Sequence, residues 1–312
     1  PATAKVCAKL AQGLADDMLT TTVLACKCPK LIAPAMNTNM YENPVTQDNL
    51  DILRRYGWEV IAPASGRLAC GAVGAGKLPE PQDLLQYILR EIAFPHDLKG
   101  KRVLVTAGPT QEALDPVRYL TNHSTGKMGY AIAARAAMRG ADATLVSGPT
   151  ALDTPHGVTR VDIVSARDMY DAVTSRAPEQ DFIIKAAAVG DYRPAQTADE
   201  KLKKGDGEMN IELTRNPDIL AALGKDKKPG QLLCGFAMET QNLLDNAESK
   251  LRRKNCDMLV ANSLRDKGAG FGTDTNIATL LFADGHREQP SIMSKADLAD
   301  LILDRLLGMS RR

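Results

Sequence analysis

The sequence predicts an α/β protein whose larger part is a Rossmann-like parallel sheet. Three observations carry that reading. From residue 101 onward, short apolar runs alternate with helical stretches, the pattern of strands joined by helical crossovers. The run Val103-Leu104-Val105 then breaks at Ala107-Gly108-Pro109-Thr110, where a strand feeds a glycine turn. Finally, a polar loop, Thr121 to Lys127, opens a helical pattern from Met128 to Arg139 that Gly140 closes. Small residues let backbone N–H groups approach phosphate, and a helix N-terminus adds partial positive charge. With Asn122, His123, Ser124, Thr125 and Lys127 the loop has more polar reach than a plain strand–helix joint needs. It reads as a phosphate or nucleotide site.

The 312 residues suggest two domains, each able to bury a core. Hydrophobic content of 44% and 25% charged residues are ordinary for a globular chain, and a net charge of +1 gives no general case for nucleic acid. No apolar run approaches the roughly 20 residues that span a membrane, and no stretch reads as a signal peptide. Cysteines 7, 26, 28, 70, 234 and 256 lack the spacing of a disulfide framework, and Cys26-Lys27-Cys28 is not a zinc half-site. A reducing cytoplasm is the expected location. The chain opens at Pro1, inside what reads as a loop, so the start of a longer protein is expected to be missing.

Residues 1–94 read as a first unit. Helices are expected at Lys5–Leu14, Pro44–Tyr56 and Pro79–Ile92, with Pro81 near the start of the last. Strands are expected at Val23–Ala25, Leu31–Ala33 and Glu59–Ala62. Between them lies Pro34-Ala35-Met36-Asn37-Thr38-Asn39-Met40-Tyr41, read from spacing as an Asn-capped turn into the next helix. Ser65 to Lys77 carries four glycines around Cys70. It suits either a mobile flap that lowers a thiol onto a ligand or a surface loop with an incidental cysteine. Residues 95–100 read as a linker.

In the second unit, 101–312, strands are expected at Ala143–Val146, Asp181–Ala188, Leu232–Ala237 and Met258–Ala261. Ile277–Phe282 should pair with a partner across the turn dipeptide Asp284-Gly285. Helices are expected at Ala166–Ser175, Pro217–Gly224, Asn242–Lys254 and Lys295–Leu307, the last with Leu298, Ile302 and Leu306 on one face. The strand ending Ala187-Ala188 runs into Val189-Gly190-Asp191, where small residues would admit a flat base beside Asp191. Lys201 to Lys204 is either a solvated loop or a lid carrying ammonium groups to phosphate. Lys250 and Lys254 share one helix face.

The motifs Pro34–Met40 (PAMNTNM), Leu68–Lys77 (LACGAVGAGK), the stretch from Val105 to Gly129, Lys185–Pro194 (KAAAVGDYRP) and Lys201–Lys204 (KLKK) stand in one order. Together they resemble the bifunctional coenzyme A biosynthesis family, which joins a phosphopantothenoylcysteine decarboxylase to a phosphopantothenate–cysteine ligase. The resemblance implies the C-terminal part of a flavodoxin-like flavoprotein domain followed by a complete ligase domain. It implies a ligase that activates 4′-phosphopantothenate with CTP as an acyl-cytidylate, which cysteine then attacks. Asn122, with His123 beside it, would hold the acyl oxygens, and Lys201 would stabilise phosphate charge. Gly108, Ala187, Ala188, Asp191, Lys201, Asn216, Pro217, Asp218, Ile219, Leu220, Phe236, Lys250 and Lys254 would contact CTP. Mg²⁺ would ride mainly on the triphosphate, with no protein ligand assigned.

In the decarboxylase half the resemblance implies FMN, with Asn37 gripping the substrate carboxylate and Cys70 protonating an enethiolate. Asn39 and Met40 would be neighbours of substrate or flavin. Lys77-Leu78 stands where the family pattern has Arg-Met, which keeps the charge and loses a bidentate fork. With the family's first strands and histidine expected upstream of Pro1, the decarboxylase half is expected to be inactive and the ligase competent. The resemblance further implies a ligase-domain dimer and flavin-domain trimers. A nicotinamide oxidoreductase is disfavoured because no GxGxxG follows Val105. A non-catalytic binding protein is disfavoured by the joint presence of Asn-His-Ser and Lys-Leu-Lys-Lys.

Overall fold

The computed structural model describes residues 1–203, 209–239, 243–263 and 272–311, in two compact units, Pro1–Phe94 and Pro95–Arg312. In the first, α1 (Ala4–Gln12) starts at a Thr3 cap and stops at Gly13, whose φ of 70° ends the helix. Helix α2 (Met18–Ala25) takes the place of the strand expected at Val23–Ala25. The Asp17 carboxylate accepts from the Thr20 amide while the Thr20 hydroxyl oxygen accepts from the Asp17 amide, and this capping box outweighs the β-branched run behind it. Strand β1 (Leu31–Ile32) precedes α3 (Thr38–Glu42) and α4 (Pro44–Arg55), then pairs in parallel with β2 (Glu59–Val60). Asn37 caps α3 through the Asn39 amide, and a second cap, Asn43, starts α4. The expected single turn is thus a short helix of its own.

The glycine-rich segment is an antiparallel hairpin, β3 (Ala64–Arg67) with β4 (Val73–Lys77), followed by α5 (Pro81–Ile92). Glycine makes it possible. Gly76 has φ 139°, and a Cβ there would lie 2.1 Å from the Met36 carbonyl oxygen, which leaves the two backbones free to join through the Met36 amide and Gly76 carbonyl at 3.0 Å. Cys7, Leu50 and Leu53, fully buried, form the core of this unit.

The second unit opens with Leu98, fully buried in the core, and with Asp97 paired to Arg139. Its first strand, β5 (Arg102–Ala107), is followed by a small hairpin, β6 (Gln111–Ala113) and β7 (Tyr119–Thr121), and by α6 (Lys127–Met138). Next come β8 (Asp142–Ser147), β9 (Val158–Asp162), α7 (Ala166–Arg176) and β10 (Phe182–Lys185). A second hairpin, β11 (Tyr192–Pro194) with β12 (Leu213–Arg215), leads to α8 (Ile219–Lys225), β13 (Leu232–Glu239) and α9 (Leu243–Arg253). The chain ends with β14 (Met258–Ser263), β15 (Thr275–Asn276), β16 (Ala278–Phe282), β17 (Arg287–Glu288), β18 (Met293–Ser294) and α10 (Lys295–Ser310). The expected start of the helix at Asn242, and Lys204, lie outside the described residues.

The main sheet has the order β17-β16-β14-β13-β10-β5-β8-β9. The six strands from β14 to β9 are parallel, while β16 and β17 form the antiparallel hairpin expected across Asp284-Gly285. In chain order the parallel strands run 3-2-1-4-5-6, and the order reverses between β5 and β10. That switch point is where an open sheet leaves a crevice at the strand carboxyl ends. Side-chain alternation assigns the two faces. Val103, Val105, Phe182 and Ile184 pack with α6 and α10, including Leu298, Ile302 and Leu306. Leu104, Ile183, Leu233 and Leu259 pack with residues of α7, α8 and α9 on the other face.

Candidate functional site

The switch point is built from three loops whose backbones are tied together. After β5, Gly108 turns with φ 74°, and its carbonyl accepts from the Ala188 amide at 2.9 Å. Thr106 and Thr110 hold the opposite loop, their hydroxyl oxygens accepting from the amides of Ala187 (3.1 Å) and Gly190 (2.9 Å). Asn122, at the end of β7, donates through Nδ2 to the Ala188 carbonyl at 3.1 Å. One exposed amide therefore sits against Ala187–Ala188 and still has a second N–H.

Four glycines let these loops meet the start of α6. Gly126, with φ 80°, is its N-cap, and no side chain caps the helix. A Cβ on Gly129 would lie 2.6 Å from the Ala107 Cβ, and one on Gly148 would lie 1.8 Å from the Pro109 carbonyl oxygen. A Cβ on Gly108 would meet Thr150 at 2.9 Å, as would one on Gly126. A dinucleotide fingerprint assigns one glycine to the turn, one to ligand approach and one to helix–strand packing. Gly108, Gly126 and Gly129 fill those roles here, with residues 109–125 inserted between the first and the second. The contiguous GxGxxG is missing from the sequence, but its geometry is present.

Two cavities flank Ala187–Ala188. The first is lined by Ser124 to Gly129, Ala186 to Ala188, Phe236 to Met238, Asn262, Asn276 and Lys295. It faces the uncapped N-terminus of α6. The Asn262 side-chain oxygen is buried there with no hydrogen-bond partner among the described residues. Lys127 donates to Asp274 at 2.7 Å, which holds that carboxyl below the usual range. Lys295 is buried and donates to the carbonyls of Thr273 and Thr275, and burial together with Lys127 lowers its pKa. Lys127 and Lys295 thus place two ammonium groups at this cavity, and an anion entering it would favour their charged forms.

The second cavity, of about 460 Å³, is lined by Lys185, Val189 to Tyr192, Arg215 to Leu220, Lys250, Arg253 and Lys254. Asn216 donates to the Gly190 carbonyl at 2.8 Å, which fixes the wall beside Asp191. Asp218 caps α8 through the Ala221 amide and pairs with Lys254. Lys250 donates to the Phe236 carbonyl at 3.1 Å, joining the walls of the two cavities. Pro217, Ile219 and Leu220 supply the apolar part of the lining.

Of the residues expected at the nucleotide site, Asp191, Asn216 to Leu220, Lys250 and Lys254 share the second cavity, whereas Ala187, Ala188 and Phe236 line the first. Gly108 shapes the loop beneath them. His123 is exposed and lines neither cavity, and neither does Lys201. The segment of Lys201 is nevertheless anchored. The Asp115 carboxylate accepts from the Leu202 amide at 3.1 Å and from Arg118 at 2.6 Å, and the Arg118 side chain donates to the Leu202 carbonyl at 2.9 Å. Arg118 and these backbone amides hold Asp115 well below the carboxylate range. Sequence reading missed Asn262, Lys295 and Lys185. Only Lys185 left a signal, a charge interrupting an apolar strand.

In the first unit the hairpin tip sets Cys70 against the PAMN loop. Asn37 Nδ2 lies 3.3 Å from the Cys70 sulfur. The Ala72 amide, and then Asn37, lower the thiol pKa. The two residues expected to act together are thus brought together. Lys77 pairs with Glu80 at 2.9 Å in place of the expected arginine fork.

Fold and site define an α/β protein of the Rossmann class, with a cleft at the switch point that faces a helix N-terminus, linked to a unit that presents an exposed thiol beside an amide. Comparison narrows the class. Residues 98–309 match the family model for the DNA/pantothenate metabolism flavoprotein C-terminal domain, and residues 1–93 match the flavoprotein model. The chain is 49% identical over 317 residues to the coenzyme A biosynthesis bifunctional protein CoaBC of Bacillus subtilis strain 168, covering 100% of this chain and 77% of that protein. It is 44% identical to a cysteine/cysteine sulfinic acid decarboxylase of an unknown prokaryotic organism, covering 99% and 88%. A crystal structure of the C-terminal domain of a CoaBC protein superposes with TM-score 0.59 at 45% identity, covering 69% of this chain and 97% of that one. The chain belongs to the bifunctional coenzyme A biosynthesis protein family. These matches give no support to the expectations of a missing start and an inactive decarboxylase half. Among the described residues no helix is long and apolar enough to cross a membrane.

Proposed function

We propose that the second unit joins 4′-phosphopantothenate to cysteine at the expense of CTP, through an acyl-cytidylate. The observation that carries this is the paired arrangement at the switch point. A helix N-terminus suited to phosphate lies on one side of Ala187–Ala188 and a polar, lysine-lined cavity on the other, with the Asn122 amide against the join. The triphosphate lies at the start of α6, where backbone N–H groups and Lys295 meet its charge. The base and ribose cross Ala187–Ala188 into the cavity of Asp191, Asn216 and Asp218. The substrate carboxylate reaches the α-phosphorus beside Asn122, whose neutral amide can donate to it without repulsion. Such an attack needs positioning and charge stabilisation more than a base. Lys201 completes this by swinging its ammonium onto the phosphates from the segment that Asp115 anchors. Mg²⁺ enters on the triphosphate. Exposed Val117, Tyr119, Tyr192 and Leu213 support a ligase-domain dimer. The expected cytoplasmic location fits a chain with these substrates.

In the first unit, Asn37 and Cys70 act on the ligation product. FMN, when bound, would supply oxidation of the thiol end that makes loss of carbon dioxide easy. The open thiol–amide pair, with Asn39 and Met40 exposed on the helix that Asn37 caps, fits a substrate lying against such a group. Asn37 holds the carboxylate before it leaves, and the Cys70 thiol donates its proton to the enethiolate carbon, leaving a thiolate that the Ala72 amide and Asn37 stabilise.

The test is product analysis by mass spectrometry with 4′-phosphopantothenate, cysteine, Mg²⁺ and either CTP or ATP. The reading requires the cysteine amide, with CTP consumed to CMP and pyrophosphate. A folded chain that binds CTP and forms no amide would refute it.

A further inference from the structure

Lys185 closes β10 on the floor of the second cavity. Its two companions there are committed, Lys254 to the Asp218 carboxylate and Lys250 to the Phe236 carbonyl. Among the described residues the Lys185 ammonium has no hydrogen-bond partner. The adjacent strands bring only Thr106 and Gly235 into register beside it. Its charged surroundings are Asp191 from the loop after β10, Asp218 from the head of α8, and Lys250 and Lys254 from the α9 side; Arg215 and Arg253 line the same cavity. This is a half-buried donor without an acceptor, facing space for a ligand, beside carboxylates that can accept.

We propose that Lys185 is the specificity-determining residue for the base, its ammonium donating to the ring carbonyl of a pyrimidine nucleotide. The inference rests on the nucleotide reading above and goes beyond it by naming what selects the base. A cytosine presents an acceptor edge, its carbonyl oxygen and adjacent ring nitrogen, next to an exocyclic amino donor. Lys185 meets the first, and Asp191 or Asp218 meets the second. Adenine carries no carbonyl, so Lys185 would lose that acceptor and be left with a ring nitrogen that the larger purine places differently in the cavity. A site built to hydrogen-bond a group discriminates strongly against an analogue that lacks it, because its own polar group is left unsatisfied.

A second property follows from the same surroundings. Burial, then Lys250, pull the Lys185 pKa from 10.5 down to about 8. A pyrimidine carbonyl favours the charged form, so CTP binding draws a proton onto Lys185. At pH 8 the uptake is about half a proton, and CTP affinity falls roughly tenfold between pH 7 and pH 9. Nucleotides that do not use Lys185 lack both effects.

The experiment is isothermal titration of the whole chain with Mg-CTP and with Mg-ATP at pH 7, 8 and 9, in two buffers of different ionisation enthalpy. It uses the wild type, Lys185→Met and Lys185→Arg, with thermal denaturation of each. Expected is a loss of CTP affinity of about tenfold or more in Lys185→Met, with ATP affinity changed less than about threefold. Lys185→Arg should keep CTP binding and lose the proton uptake. Lys185→Met should also melt higher than the wild type at pH 7, since a half-buried charge is removed. Equal losses for CTP and ATP would overturn the proposal by placing Lys185 on the phosphates. Unchanged CTP affinity would overturn it by reducing Lys185 to a structural residue. A folded wild type that binds neither nucleotide would overturn the nucleotide reading and this inference with it.

Discussion

Gly129→Ala tests whether the split glycine fingerprint sets the anion site. Gly129 lies inside α6, and an added Cβ would sit 2.6 Å from the Ala107 Cβ and 2.8 Å from the Thr106 carbonyl oxygen. Carbon atoms pack at about 3.5–4.0 Å, so the first turn of α6 must retreat from β5 by about 1 Å. Alanine favours a helix interior over glycine by up to about 1 kcal/mol, while overpacking costs about 1–3 kcal/mol. The net loss is at most about 3 kcal/mol, a fall in Tm of up to roughly 12 °C for a unit of this size. The functional effect is larger, because misplacing a site by 1 Å can cost on the order of a hundredfold in rate. Gly308→Ala is the control. It too is helical, but nothing lies within 4 Å of its added Cβ, so it should stabilise by about 0.4–1 kcal/mol. Thermal denaturation and initial rates of CTP-dependent pyrophosphate release read both variants. A Gly129→Ala protein with wild-type Tm and wild-type rates would refute the reasoning.

Three further outcomes are expected. Arg139 is buried, holding Asp97 at 2.6 Å and Asp304 at 2.7 Å. Arg139→Met should cost about 1–3 kcal/mol in guanidinium unfolding, since it removes the partner of Asp97 and of the half-exposed Asp304, which water partly compensates; an unchanged stability would contradict this. Asn37→Ala should shift the pH profile of Cys70 alkylation upward, with the Ala72 amide keeping part of the lowering; an unmoved profile would remove Asn37 from the thiolate's support. Asp115→Asn should speed amide exchange across residues 198–203 and lower the ligation rate. Because the Asp115 pKa is depressed, its stabilisation is present above the unfolded value near 4 and is lost as pH falls through the folded one. The stability gap between variant and wild type should therefore close in acid, and a constant gap would argue against the charge.

Much of the fold was legible because the sheet is periodic where it is buried. Val103 to Val105, Phe182 to Ile184 and Met258 to Ala261 are apolar runs that suit a buried strand, although the strand expected over Asp181–Ala188 ends at Lys185, and Leu298, Ile302 and Leu306 mark one helix face. Val23-Leu24-Ala25 misled because a strand-like run sat behind a helix cap at Asp17, and local hydrogen bonding won. The hairpins β6–β7 and β11–β12 have three-residue strands, too short to show a period. The glycine fingerprint escaped because residues 109–125 separate Gly108 from Gly126, so only the folded chain reunites them. Asn37 and Cys70 were legible through their motifs, but their contact needed the Gly76 crossing, which sequence spacing does not reveal. Lys201 stands where its motif puts it, but in the structure it lines neither cavity. The part proposed for it in the reaction therefore requires movement.

The proposed activation step is attack of the substrate carboxylate on the α-phosphorus of CTP beside Asn122. Ligation with ¹⁸O-labelled 4′-phosphopantothenate carboxylate, followed by mass spectrometry of the released nucleotide, tests it most directly. Activation through an acyl-cytidylate requires one ¹⁸O in CMP and none in pyrophosphate. CDP as the product, with the label in inorganic phosphate, would show attack at the γ-phosphorus and contradict the site as described.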